Sequence, residues 1–190
     1  LIYGLPGQTL ADLKIDLANI LKLNAPHIST YSLTIEEGTI ASINKWKAAT
    51  DEEMRAMYDL ILETLREKGY IRYEVSNFAW PGYESMHNKL YWENKTYFGI
   101  GLGASGYING KRYLIEGGLT RYVKGESIIS VDEITPEQYI EEYLMLHLRL
   151  AQGFLLSDFK KKVGFSFLEK YKEQIKTLVE SGLLVVTRER

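Results

Sequence analysis

The chain of 190 residues contains no cysteine. That excludes disulfides, thiolate metal sites and cysteine nucleophiles within it. It has four prolines and 25% charged residues beside 45% apolar ones, a composition that rules out a disordered or low-complexity chain. Charge of one sign is also lacking. Lys and Arg number 23 against 25 acidic residues, leaving a net charge of -2, so no polyanion-binding surface is indicated. No apolar run approaches the roughly 18 residues of a membrane span, and no signal peptide is visible, which makes the cytoplasm the expected location. What the chain does have is aromatic side chains: 14 Tyr, 6 Phe and 3 Trp.

Helix and strand signals are strong in the first third. Leu1-Ile2-Tyr3-Gly4-Leu5-Pro6-Gly7-Gln8-Thr9 reads as the end of a buried strand, a loop and a helix start at the Thr9 cap, with Asp12 in the acidic position of a capping box. Leu13, Leu17, Ile20 and Leu21 recur at helical spacing until Pro26. His27 to Thr34 then reads as a strand, completing a βαβ unit, the building block of parallel sheets. A second helix is capped by Thr50 and Glu53, shows Met54, Met57, Tyr58, Ile61, Leu62 and Leu65 on one face, and stops at Gly69. Tyr70 to Val75 alternates like a strand. Asn77 to Asn94 reads as irregular and aromatic-rich, Tyr97 to Tyr107 as a glycine-laden run returning to a sheet, and Lys111 to Ile115 as a hairpin partner.

The texture changes from Thr135, and the boundary is expected between about Tyr122 and Thr135. Thr135-Pro136-Glu137-Gln138 opens a helix expected to reach Gln152; Ser157 is expected to cap a short helix ending near Gly164, and another is expected over 167–181 before a strand at 182–186. The expected fold class is therefore α/β, with residues 1–121 as one domain and residues 122–190 as a small helical, winged-helix-like domain.

Three motifs carry possible chemistry. The Gly4–Gln8 loop lies where parallel α/β barrels bind ligands, but reads first as a tight turn; it lacks the Gly-Lys-Ser/Thr ending of a phosphate loop. Gly101, Gly103 and Gly106 match G-x-G-x-x-G only formally, because no helix opens at the third glycine. A ridge where a flat ligand or backbone packs closely is the better reading. His87-Asn88-Lys89-Leu90-Tyr91-Trp92 places an imidazole among aromatic rings, a setting for an iron-bearing macrocycle. His27 and His147 have no such company and read as structural. Lys160, Lys161 and Lys162 read as a solvated helix face, and no nucleic-acid partner is expected.

The ordered series LIYGLPGQT, HISTYSLT, YEVSNFA, HN-x-x-YW and GIGLGA resembles the radical S-adenosylmethionine proteins of the oxygen-independent coproporphyrinogen III oxidase group, over essentially the whole chain. The His87–Trp92 motif resembles the HemW-type heme-chaperone branch in particular. The resemblance implies the C-terminal part of a partial (β/α)6 barrel, Leu1–Gly4 matching its fifth strand and His27–Leu33 its sixth. It implies S-adenosylmethionine contacts at Thr34, Ala104 and Ser105, heme binding at His87, and heme delivery to a recipient protein. The alternative it implies is an oxidase that decarboxylates coproporphyrinogen III through a 5′-deoxyadenosyl radical. Its [4Fe-4S] cluster sits on a Cys-x-x-x-Cys-x-x-Cys loop, and this chain has no cysteine. The expectation is thus a C-terminal part of a longer protein, with no cluster ligands, no cleavage of S-adenosylmethionine on its own, membrane contact only through a partner, and a tendency to pair with a second copy.

Overall fold

Two reciprocal caps start the first unit. Thr9 accepts the Asp12 amide through its hydroxyl while the Asp12 carboxylate accepts the Thr9 amide, and Thr50 and Glu53 repeat the arrangement. These caps satisfy helix-end amides that would otherwise lack partners. In the computed structural model, which describes residues 1–190, the chain forms two units, residues 1–85 and 86–190.

The first unit runs β1 (Ile2–Tyr3), α1 (Leu10–Leu21), β2 (His27–Ser29), β3 (Tyr31–Ser32), α2 (Ile40–Ile43), α3 (Asp51–Glu67), β4 (Ile71–Arg72) and β5 (Asn77–Ala79). β1 pairs with β3 in parallel, Ile2 opposite Tyr31 and Tyr3 opposite Ser32, as a βαβ unit requires. Leu13 and Leu17 of α1 meet Met57, Ile61 and Leu65 of α3 over Tyr3, Ile28 and Phe78, and these residues form the core. Gly69 follows α3 with φ 82°, the left-handed geometry that ends helices.

Two expectations change here. The strand predicted over 70–75 is only Ile71–Arg72, because the chain turns back at once: the Tyr73 amide donates to the Asn77 carbonyl at 3.2 Å. Asn77–Ala79, predicted as irregular, is the wholly buried central strand of the sheet β2-β5-β4. Three residues are too few to show a period of two. The polar Asn77 is accommodated because the Ser29 hydroxyl donates to its amide oxygen.

The second unit runs α4 (Met86–Trp92), β6 (Ser105–Ile108), β7 (Lys111–Glu116), α5 (Gly118–Val123), β8 (Ile128–Glu133), α6 (Pro136–His147), α7 (Leu156–Val163), α8 (Phe167–Lys170) and α9 (Lys172–Glu180). β6, β7 and β8 form an antiparallel meander. Because β8 pairs along the whole of β7, from Lys111–Glu133 to Glu116–Ile128, the segments on both sides of 121/122 share one sheet. The chain therefore divides at 85/86, whereas the change of sequence texture lies later. Tyr143, Phe154, Phe159, Phe167 and Ile175 form a second core, its phenylalanines meeting Tyr143 and one another largely edge to face.

Thr135, Pro136 and Gln138 start α6 as expected, but it stops at His147. α7 begins at Leu156, capped at Leu155 without a side-chain bond, so Ser157 is inside the helix and not its cap. The helix predicted over 167–181 breaks at Tyr171. No strand forms at 182–186, where Leu183 and Val185 stand exposed, in place of the strand expected there. No helix is long and apolar enough to cross a membrane.

Candidate functional site

His87 is exposed and makes no hydrogen bond. Its segment is helical, not the loop the sequence suggested: α4 places His87 and Tyr91 one turn apart on the same side. Their rings meet edge-on at 4.9 Å and 84°. Tyr91 then touches Tyr97 at 4.4 Å, and Tyr97 touches Tyr107 at 6.4 Å. A row of rings thus backs the imidazole while its nitrogens stay open, and Met86, Phe98 and Ile100 of the neighbouring sequence are exposed apolar side chains. On the other flank of α4 the Arg149 guanidinium lies 5.5 Å from the Trp92 ring centre. Trp80 and Tyr83, which shortly precede His87 in the sequence, belong to the first unit, where their rings meet at 6.3 Å. An unbonded imidazole beside aromatic surface fits a flat, iron-bearing ligand.

The other two histidines are engaged. His27 Nε2 shares a hydrogen bond with the Tyr73 hydroxyl at 2.8 Å, and burial pulls its pKa below the ordinary value, against the opposing charge of Glu74. His147 stacks on Tyr143 at 3.7 Å and donates through Nδ1 to the Tyr143 carbonyl at 2.8 Å; burial lowers its pKa also. Both imidazoles are thus engaged within the fold.

The Gly4–Gln8 loop spends its amides on itself. The Gln8 side-chain oxygen accepts Gly4 N–H at 2.8 Å and Leu5 N–H at 3.3 Å, while its nitrogen donates to Asp16 at 3.0 Å. The Thr9 amide goes to Asp12, whose pKa is lowered by the Thr9 hydroxyl and then by the Thr9 amide. The tight-turn reading of this loop fits. Thr34, just past β3, is exposed and lines an open cavity of about 620 Å³ with Tyr3, Ser32, Asp51, Arg55 and Tyr58.

The glycine ridge packs against backbone and one tyrosine. Gly99 lies so close to the Ser105 carbonyl that a Cβ would sit 2.3 Å from its oxygen, and a Cβ on Gly106 would meet the Tyr113 ring at 2.2 Å. Ala104 has both backbone groups committed, its N–H to the Gly101 carbonyl at 3.1 Å and its carbonyl to the Ile115 amide at 3.0 Å. Ser105 opens β6 opposite Leu114 and is exposed. Thr34 belongs to the first unit, and His87, Ala104 and Ser105 belong to the second.

Sequence reasoning missed one polar cluster. Glu74 is only 1% exposed; one carboxylate oxygen accepts the Ser76 amide at 3.2 Å and the other has no donor. Beside it, the buried Thr30 donates its amide to the Ser76 carbonyl at 2.7 Å. The alternation of Tyr70–Val75 was the available signal, but it marks only that two faces differ.

Residues 134–190 match the HemN C-terminal domain family. The whole chain is 40% identical to the heme chaperone HemW of Lactococcus lactis subsp. lactis (strain IL1403), covering 100% of this chain and 52% of that protein. It is 37% identical to the heme chaperone HemW of Bacillus subtilis (strain 168), covering 97% of this chain and 51% of that protein. The chain is a homologue of the HemW heme chaperones. It spans about half the length of the curated HemW relatives it matches. Its fold is that of HemN, the coproporphyrinogen III oxidase of Escherichia coli described as a radical SAM enzyme, with a TM-score of 0.77 at 18% identity over 100% of this chain and 49% of that one. The resemblance read from the sequence implies S-adenosylmethionine and a [4Fe-4S] cluster in a longer protein. Residues for the cluster are not found here: there is no cysteine, and no group of three or more His, Asp or Glu is arranged to hold a metal.

Proposed function

We propose that this chain is the heme-carrying part of a HemW-type chaperone, with His87 as the iron ligand. The observation that carries the reading is the open, unbonded His87 imidazole set edge-on against Tyr91 in α4. The similarity to proteins named heme chaperone HemW supports it. Heme is cargo here, taken up by His87 and released to a recipient protein. A side chain with no competing hydrogen bond has none to lose or re-form when the ligand arrives or leaves. The row Tyr91, Tyr97, Tyr107 holds the imidazole's side of α4 in place and gives the macrocycle an apolar edge to lie against.

In this reading β1 and β3 are the fifth and sixth strands of a partial (β/α)6 barrel, followed by a helical appendage. The candidate S-adenosylmethionine contacts are Thr34 in the first unit and Ala104 and Ser105 in the second. With its backbone groups committed, Ala104 offers only its methyl group, which suits a flat apolar surface.

The test is a heme titration of the full-length protein. Wild type is expected to shift the Soret band on saturable binding, and His87→Ala to weaken binding by about tenfold or more. Unchanged spectra and affinity in His87→Ala would remove the ligand assignment.

A further inference from the structure

One side chain of β7 reaches across the sheet and closes the glycine run. The Tyr113 hydroxyl accepts Gly99 N–H at 2.8 Å and donates to the Gly99 carbonyl at 3.1 Å. Its ring lies against Gly106, where no Cβ fits, and Gly99 itself is pressed on the Ser105 carbonyl. Two more β7 groups hold the same loop: the Ile115 carbonyl accepts Gly103 N–H at 2.8 Å, and the Ile115 amide donates to the Ala104 carbonyl at 3.0 Å. The loop from Gly99 to Ala104 is thus tied at its start by a side chain and at its end by backbone. The backbone ties belong to any hairpin neighbour. The tyrosine tie is specific, because it satisfies both backbone groups of a single glycine and depends on a second glycine beneath its ring. A flexible glycine segment would otherwise lose much of its ordering entropy on meeting a ligand.

We propose that Tyr113 is a positioning residue that pre-orders the Gly99–Ala104 loop so that Ala104 and Ser105 meet their ligand without a further ordering cost. This rests on the reading of Ala104 and Ser105 as S-adenosylmethionine contacts. Tyr113 does not touch the ligand in this scheme; it acts through Gly99.

The test uses Tyr113→Phe in the full-length, cluster-loaded protein, which keeps the ring on Gly106 and removes only the hydroxyl. Three quantities are measured: amide exchange of the peptide containing Gly99–Ala104, the dissociation constant for S-adenosylmethionine, and heme affinity at His87. Loss of two hydrogen bonds is expected to speed loop exchange roughly tenfold and to weaken S-adenosylmethionine binding by a similar or smaller factor, since two bonds of about 1 kcal/mol bracket one decade. Heme affinity is expected to stay unchanged. Unaltered loop exchange would overturn the latch. Faster exchange with unaltered S-adenosylmethionine affinity would overturn its role in positioning. A wild-type protein that binds no S-adenosylmethionine would overturn the contact reading itself, and with it the proposal, while a wild-type heme titration that still depends on His87 would leave the chaperone reading standing.

Discussion

The close approach of Gly106 to Tyr113 sets a sharp expectation for Gly106→Ala. Gly106 has no left-handed φ, so alanine meets no backbone obstacle there. The obstacle is the ring: the new Cβ would lie 2.2 Å from Tyr113 Cζ, 2.3 Å from Cε1 and 2.4 Å from the hydroxyl oxygen. Relief requires the ring to move by more than an ångström, and such a move breaks both bonds to Gly99. Overpacking costs about 1–3 kcal/mol and each lost hydrogen bond about 1 kcal/mol, so the substitution is expected to destabilise the second unit by about 3 kcal/mol. Urea unfolding followed by a probe within residues 86–190 measures it; with a slope of about 1–3 kcal/mol/M the midpoint falls by about 1–3 M. The decisive control is the same substitution in a Tyr113→Ala background. With the ring gone the clash is gone, and the cost of alanine is expected to fall below about 1 kcal/mol, giving a coupling of about 2 kcal/mol. Equal costs in both backgrounds would refute the packing argument.

Protonation gives a second expectation. Burial holds His147 below the ordinary 6.5, opposed by its bond to Tyr143 and reinforced by Lys162, and burial does the same to His27. The unfolded chain therefore binds these protons first as the pH falls. Stability is full above about pH 6.5, declines as the pH drops below it, and levels once the folded-state values are passed. Urea midpoints measured between about pH 8 and pH 5 are expected to show this decline, and His147→Gln to flatten part of it; an identical slope in the variant would count against the assignment. In the core, Phe159→Ala is expected to cost about 3–5 kcal/mol, since Phe159 has no exposed surface and touches Tyr143, Phe154, Phe165 and Phe167. Thermal unfolding followed by calorimetry checks it. Thr135→Ala, which removes the α6 cap, is expected to cost about 1 kcal/mol, and a drop in the unfolding midpoint smaller than experimental scatter would show the cap to be replaceable.

The candidate site was only partly legible in advance. His87 stood out by its aromatic company, yet its helical setting did not, because seven residues give a helix signal too short to separate from a loop. The glycine run was recognised as a place of close packing, but nothing in the chain between Gly99 and Gly110 names Tyr113 as what packs there. Glu74 and Asn77 were invisible as buried groups for the same reason: each is a polar residue in a short segment whose neighbours come from far along the chain, Ser29 48 residues from Asn77 and Thr30 46 residues from Ser76.

Local chemistry written in the chain determined the starts of α1, α3 and α6, since Thr9, Thr50 and Thr135 find their cap partners three residues on. It also determined that no thiolate chemistry occurs in these 190 residues. Tertiary packing alone decided that Asn77–Ala79 is a central strand and that Tyr113 locks Gly99. Those outcomes depend on which distant segment arrives alongside, and a strand or a latch exists only once its partner is there.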